Sequence, residues 1–417
     1  MRKSDKLLFA AFTGAILLML AAVAVRVIPS VAQEEAARLG IASPQIDIGA
    51  LLTMVKEKKL SLQEALYYES KEEGKIQCNL CPWKCVLKNG ERGKCRVRVN
   101  IEGKLRALTY GKPVVVKPDP IEKKPLFHVI PGAHALSLST VGCNLGCIFC
   151  QNWETSQEWP EKGGHELVIR SLREQLPWIR STDSLSPEEV IEICKITKCE
   201  SIALTYTEPT VFFEYMLDIC KLARKEGIKT LWVTCGYIEP APLRELCKYL
   251  DAANVDLKGF SEKFYQDYCG AHAHLEPVLN CLKILKEEKV WFEITNLVIP
   301  QANDDPEMIR NMCIWIRDNL GVDYPLHFSR FYPDYKLLNR SFTPLSTLLK
   351  ARQIAKEVGI KYVYIGNVFE VEIGQEDTIC PNCARTLIRR HGYSIEENNV
   401  QDGACKFCWT PISGIWK

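Results

Sequence analysis

The stretch VGCNLGCIFCQNW, residues 141–153, decides how this chain is read. Its cysteines, Cys143, Cys147 and Cys150, are spaced C-x3-C-x2-C and follow directly on an apolar run at 135–141 that predicts a strand. Three thiolates on one short loop supply three ligands to a cuboidal four-iron cluster, which ferredoxins complete with a fourth cysteine. The next cysteine here is Cys194, inside a helical pattern, so one iron is left open for a substrate or cofactor. Gly142 and Gly146 suit a tightly wrapped loop, and Phe149, beside the last cysteine, can shield a cluster from water. The plainer alternative is a set of three buried or zinc-binding cysteines.

Outward from this loop, short apolar strands alternate with amphipathic helices, the pattern of a parallel sheet with crossover helices. Further strands are expected near 201–205, 229–234, 253–257, 290–299, 324–328 and 361–365. Ser186-Pro187-Glu188-Glu189 reads as an N-cap, a proline at the first helical position and a capping box, and Gly227, Gly321 and Gly359 stand where helices should stop. Polar residues cluster just after the strands, as a barrel with its active site at the strand C-termini requires. A doubly wound sheet is the other arrangement that such β/α units allow.

With an aromatic before its third cysteine, the loop resembles the signature of the radical S-adenosylmethionine superfamily. The resemblance runs from about Gln77 to the C-terminus. DPIEKKPLFHVIPG (119–132), TYTEPT (205–210), ANVDLKG (253–259), PLHFSRFYP (325–333) and YVYIGNV (362–368) look like the radical enzyme of the AmmeMemoRadiSam system, a group related to the pyruvate formate-lyase activating enzymes. It implies an α/β fold, a partial (β/α)6 TIM-type barrel over 135–372, carrying a 4Fe-4S cluster on Cys143, Cys147 and Cys150. It also implies reductive cleavage of S-adenosylmethionine to a 5′-deoxyadenosyl radical. Carried over residue by residue, Glu208 resembles the acidic group that receives the methionine ammonium. Asp256 and Lys258 resemble a D-x-K pair that contacts the cofactor, with Lys258 toward its carboxylate, and His327 resembles a histidine near the ribose and methionine. Relatives typically carry Asn-Gly after the third strand, where this chain has Cys235-Gly236, so the polar contact of that asparagine is not carried over.

The 19 cysteines form three clusters holding eleven, with eight more scattered singly; the odd count and C-x2-C spacings point to metal or iron–sulfur ligation rather than a disulfide scaffold. Cys380, Cys383, Cys405 and Cys408 form two CxxC knuckles, a zinc-ribbon signal, in a C-terminal module over 373–417. Four thiolates suffice there, and His391 is left out of the ligand set. Cys78, Cys81, Cys85 and Cys95, in a module with its lead-in over 76–134, are read as structural zinc ligands, with a second iron–sulfur cluster as the alternative. The lone cysteines are expected to be core residues.

Lys plus Arg total 53 against 51 for Asp plus Glu, which leaves no basic field for nucleic acid. Residues 1–32 contain an uncharged run, Leu7–Val25, long enough for a membrane anchor; Ser30-Val31-Ala32 also suits a signal-peptide cleavage site. Arg2, Lys3 and Lys6 send the chain outward by the positive-inside rule, whereas an oxygen-sensitive cluster argues for a cytoplasmic catalytic part. Residues 33–75 read as a helical linker. Expected partners are a reductant such as flavodoxin or ferredoxin, Memo-like companions and a protein substrate. Two other functions fit the motifs: a glycyl-radical-enzyme activase, and a membrane-tethered iron–sulfur electron carrier.

Overall fold

Seven parallel strands form where the seven apolar runs stand in the sequence. The computed structural model describes residues 47–368 and 374–417. Its main sheet runs, in spatial order, β1 (Val115–Pro120), β2 (His134–Ser139), β3 (Ser201–Leu204), β4 (Lys229–Thr234), β5 (Ala252–Asp256), β6 (Trp291–Val298), β7 (Leu326–Arg330) and β8 (Val363–Gly366). Strands β2 to β8 are parallel, and β1 pairs antiparallel with β2. The sheet therefore has one parallel strand more than a six-unit barrel, and β1 and β8 are its edges. The sequence VVKPDP hides β1, since two prolines argue against a central strand; an edge strand tolerates the missing N–H groups.

Among the described residues, seven helices of eight or more residues connect the strands: α1 (His165–Gln175), α2 (Pro187–Ile196), α3 (Phe213–Lys225), α4 (Pro240–Cys247), α5 (Glu276–Glu287), α6 (Pro306–Asn319) and α7 (Leu345–Val358). The capping box at α2 forms as predicted. Ser186 Oγ accepts from Glu189 N at 3.2 Å, and Glu189 Oε2 accepts from Ser186 N at 2.7 Å. Small residues fill the barrel floor, where Ala135, Ala203 and Ala252 pack with Leu231 and Leu126 against Ile415 of the C-terminal tail.

The N-terminal cysteine module shares the barrel core through Ile76, Leu80, Val97 and Leu105, which belong to the same apolar cluster as Leu136 and Leu138, while Val99, Ile101 and Leu108 pack separately with Leu51, Val55 and Leu60. A buried ion pair, Arg98 to Glu214 at 2.9 Å, fastens it to α3. Among the described residues of the expected helical linker, an α-helix forms at Ile48–Glu57. Further on the chain is extended: Gln63–Glu64 pairs with the distant strand Lys104–Ala107, and Tyr68–Ser70 pairs with Ile76–Cys78 in a local hairpin. The C-terminal module is a three-stranded sheet with a small hairpin, packed through Leu387, Ile388 and Ile412 on Phe127, Tyr362 and Tyr364. The expected anchor or signal segment at 1–32 lies outside the described residues, among which no helix is long and apolar enough to cross a membrane.

Candidate active site

One cavity of about 420 Å³ opens at the C-terminal ends of the strands, within the size range of ligand pockets. All seven residues singled out for chemistry in the barrel line it: Cys143, Cys147, Cys150, Glu208, Asp256, Lys258 and His327. They come from β2, β3, β5 and β7 or the turns beyond them, more than 180 residues apart along the chain.

Neighbouring segments clamp the cysteine loop. Gly146 N donates to Cys269 O at 2.7 Å, Ile148 N to Tyr268 O at 3.0 Å, and Gln157 Nε2 to Leu145 O at 3.1 Å. Leu145 N lies 3.4 Å from Cys143 Sγ, and Ser156 Oγ 3.2 Å from Cys150 Sγ, so both sulfurs have hydrogen-bonding neighbours. Gly142 is the glycine this loop needs. Its φ is +100°, and a Cβ there would stand 2.7 Å from Val97 Cγ1. Gly146 does not carry the expected constraint: its nearest atom to a Cβ is 3.9 Å away. Phe149 is buried, as expected of a shield, and packs against Phe264. Burial pushes the Cys143 thiol well up, so a thiolate there needs a cation to bind.

Glu208 is not a surface residue. Its carboxylate is 1% exposed, with Oε1 accepting from Thr210 N, Thr210 Oγ1 and Thr234 Oγ1 at 3.0, 2.6 and 2.8 Å, and Oε2 from Cys235 N at 2.7 Å. Cys235 thus serves through its backbone, and Gly236 keeps the turn at φ +68°. Asp256 and Lys258 meet as the spacing predicts, Nζ to Oδ2 at 2.8 Å. Burial disfavours the Lys258 charge, but Asp256 and the neighbouring sulfurs of Cys147 and Cys235 outweigh it and hold the ammonium protonated.

His327 stands within β7 rather than beyond it, and its Nε2 lies 2.6 Å from Glu293 Oε2. Glu293 also accepts from the backbone of Phe127 and His128 at 3.0 and 2.7 Å. Burial opposes its charge, yet these partners outweigh that and hold the carboxyl below the ordinary range. Nε2 therefore carries the proton toward Glu293, and Nδ1 is the ring's remaining polar atom. Sequence reasoning missed Glu293, although a glutamate inside the apolar strand WFEITNLV signals a buried partner. It also missed a basic and aromatic corner of the cavity. Tyr206 donates to Asp119, Lys124 Nζ lies 3.1 Å from the same carboxylate, and Lys124 is 4.4 Å from the Tyr206 ring. Burial brings Lys124 down to about 8 despite Asp119. No sequence spacing foretells that corner.

The C-terminal module has a double place. Sulfur pairs Cys380–Cys408 and Cys383–Cys405 are 3.6 and 3.7 Å apart, near the edge of about 3.8 Å expected for a tetrahedron with metal–sulfur bonds of about 2.3 Å. All four sulfurs lie within 4.8 Å of one another, so the group can hold one metal ion. Yet Glu376, Gly392 and Tyr393 of the same module line the barrel cavity, so it is also a wall of the site.

A parallel barrel carrying three cysteines on the loop after its first parallel strand, facing acidic, basic and imidazole groups, defines a metal-dependent enzyme class. Residues 137–313 match the model of the radical SAM superfamily. The chain is 43% identical over 353 residues to the uncharacterized protein MJ0808 of Methanocaldococcus jannaschii, covering 84% of this chain and 99% of that one. It is 26% identical over 209 residues to the pyruvate formate-lyase-activating enzyme of Clostridium pasteurianum, covering 47% of this chain and 79% of that one. A solved domain of the Bacteroides vulgatus pyruvate-formate lyase-activating enzyme aligns at 17% identity and TM-score 0.36, over 40% of this chain and 99% of that one. The chain belongs to the radical SAM superfamily. It is an enzyme of S-adenosylmethionine-dependent radical chemistry, and its family implies an iron–sulfur cluster.

Proposed function

We propose that Cys143, Cys147 and Cys150 hold a 4Fe-4S cluster and that the enzyme cleaves S-adenosylmethionine reductively, generating a 5′-deoxyadenosyl radical that abstracts a hydrogen atom from its substrate. The supporting observation is that these cysteines share one cavity with Glu208, Asp256, Lys258 and His327. The donor set fits. No three of the loop sulfurs lie within 4.8 Å of one another among the described residues, which suits a cube that spreads its ligands better than a single ion.

Bound there, the cluster would supply one electron and an open iron for the methionine amino and carboxylate groups. The chain's own residues do the rest. Glu208 offers the lone pair left on Oε2 to an N–H of the methionine amino group, a charge-assisted hydrogen bond in a desolvated setting. Lys258, kept charged by Asp256, faces the methionine carboxylate. His327, oriented by Glu293, presents Nδ1 toward the ribose. Phe149 and the loop clamps exclude water.

The companion reading within the family is the AmmeMemoRadiSam radical enzyme, with Memo-like companions, flavodoxin or ferredoxin as reductant and zinc in the C-terminal ribbon. Similarity to the Clostridium pasteurianum enzyme favours a second reading, an activase acting on a protein substrate. A glycyl-radical enzyme encoded next door supports the activase, and Memo-like neighbours support the first. We place the catalytic part on the cytoplasmic side. Strong alkaline phosphatase activity with a dark green fluorescent protein fusion after Lys417 would refute that placement.

The decisive assay is anaerobic: reconstituted protein, S-adenosylmethionine and dithionite should release 5′-deoxyadenosine slowly without added substrate. Release should vanish in Cys147→Ala. Absence of both binding and release in the reconstituted protein sinks the proposal in favour of an electron carrier.

A further inference from the structure

Residues 76–111 are strongly basic in a chain that is nearly neutral. They hold eight lysines and arginines against two glutamates, where the whole chain has 53 against 51. Four thiolates around a divalent ion add only two negative charges, so the module stays positive with a metal bound. Part of this charge gathers around two tryptophans. Lys94 Nζ lies 5.2 Å from the centre of the Trp83 ring, and the guanidinium carbons of Arg92 and Arg96 lie 5.1 and 6.0 Å from that of Trp159. Lys84, next to Trp83, is 3.3 Å from Glu239, and Arg92 is 3.0 Å from Glu161. Among the described residues, Lys94 and Arg96 have no carboxylate partner. Lys84 and Lys94 are exposed and both tryptophans half-buried, so the cations and the rings reach one another at the surface.

The segments that carry these cations touch the catalytic loop on both sides of Cys143. Trp83 donates from Nε1 to the carbonyl of Asn144, the residue after Cys143, at 2.6 Å. The Cβ position of Gly142, the residue before it, is 3.0 Å from the carbonyl of Cys95, which stands between Lys94 and Arg96. Gln157, two residues before Trp159, donates to Leu145 O at 3.1 Å. Lys84, Arg92, Lys94 and Arg96 are not among the residues that line the barrel cavity, so the basic surface approaches the loop from outside it.

A cavity filled by S-adenosylmethionine and a substrate is closed to a protein, yet the electron for cleavage comes from outside the enzyme. We propose that Lys84, Arg92, Lys94 and Arg96, with Trp83 and Trp159, form the docking surface for that donor, an acidic one-electron carrier protein of the flavodoxin type. This inference rests on the function proposed above. The docked donor is oxidised by one electron and the cluster on Cys143, Cys147 and Cys150 goes from 2+ to 1+, with no bond made or broken. Opposite charges steer the two proteins together, an effect of about 10- to 1,000-fold on association that salt screens. A nucleic acid meets the same charges, but contacts to the cysteine loop serve it no purpose.

The test is anaerobic calorimetric titration of flavodoxin into the iron-loaded protein, beside release of 5′-deoxyadenosine driven by flavodoxin or by dithionite. Wild-type affinity should fall at least about tenfold as salt rises from about 0.01 to about 0.15 M, over which the Debye length shrinks from about 30 to about 8 Å. The double variant Lys94→Glu/Arg96→Glu should lose about as much at low salt and slow flavodoxin-driven release. Its dithionite-driven release, metal content and melting curve should match wild type. Lys289→Glu, just before β6 and so at the opposite end of the strands from the cysteine loop, should keep full affinity. A salt-insensitive wild-type affinity, or full affinity in the folded double variant, overturns the docking surface; so does binding of a single-stranded oligonucleotide with none of flavodoxin. If the double variant does not fold, the wild-type salt titration decides. A wild type that binds flavodoxin in this salt-dependent way but releases nothing with dithionite keeps the surface and sinks the function proposed above.

Discussion

Glu208→Gln tests the site most sharply, because the structure fixes what the change removes. The carboxylate has about four lone-pair sites and already receives four protein donors, three of them on Oε1. An amide keeps the shape but turns one oxygen into a donor. Placed at Oε2, it faces the N–H of Cys235; placed at Oε1, it faces the N–H of Thr210. Either way one buried N–H loses its acceptor, a cost of about 1–3 kcal/mol in stability. Separately, the N–H of the methionine amino group loses its anionic acceptor, worth about 1.5–3 kcal/mol, or about 10- to 150-fold in dissociation constant. Calorimetric titration of S-adenosylmethionine into iron-loaded protein measures the second effect, with iron content and a melting curve as controls. Thr234→Val removes a donor without removing the charge and should weaken binding far less. A folded, iron-replete Glu208→Gln protein with an unchanged dissociation constant would refute the assignment.

The paired substitutions Gly142→Ala and Gly146→Ala should separate: the first costs about 1–3 kcal/mol by urea unfolding from its left-handed backbone, with the clash on Val97 added, and the second stays within about 0.5 kcal/mol. Glu293 has a lowered folded pKa, so its contribution to stability is present above its ordinary value near 4.5 and lost as pH falls through the lower folded value. Glu293→Gln should be less stable at neutral pH and should lack that part of the acid dependence; parallel curves for the two proteins would contradict the pairing. Cys380→Ser should release the ribbon metal and lower the melting temperature. Because Tyr393 and Gly392 line the cavity, it should also raise the dissociation constant for S-adenosylmethionine, and unaltered affinity in the folded fraction would make the module purely structural.

The sequence by itself determined the chemistry that local order carries. Cysteine spacing announced the loop and the ribbon, since ligands on one turn must be near in sequence. Buried parallel strands, covered on both faces, had to appear as apolar runs, and all seven did. Short-range capping at Ser186 and Glu189 was equally plain, because both partners lie within one helical turn. The tertiary structure alone decided what depends on distant partners: β1 as an edge strand, the pairing of Glu293 with His327, the enclosure of Glu208 by Thr210, Thr234 and Cys235, and the entry of the ribbon into the cavity wall. It also separated two four-cysteine sets that look alike as strings. Sulfur-to-sulfur distance is set by how the chain packs around each set, with one closing to the spacing of a single ion and the other held open against the catalytic loop.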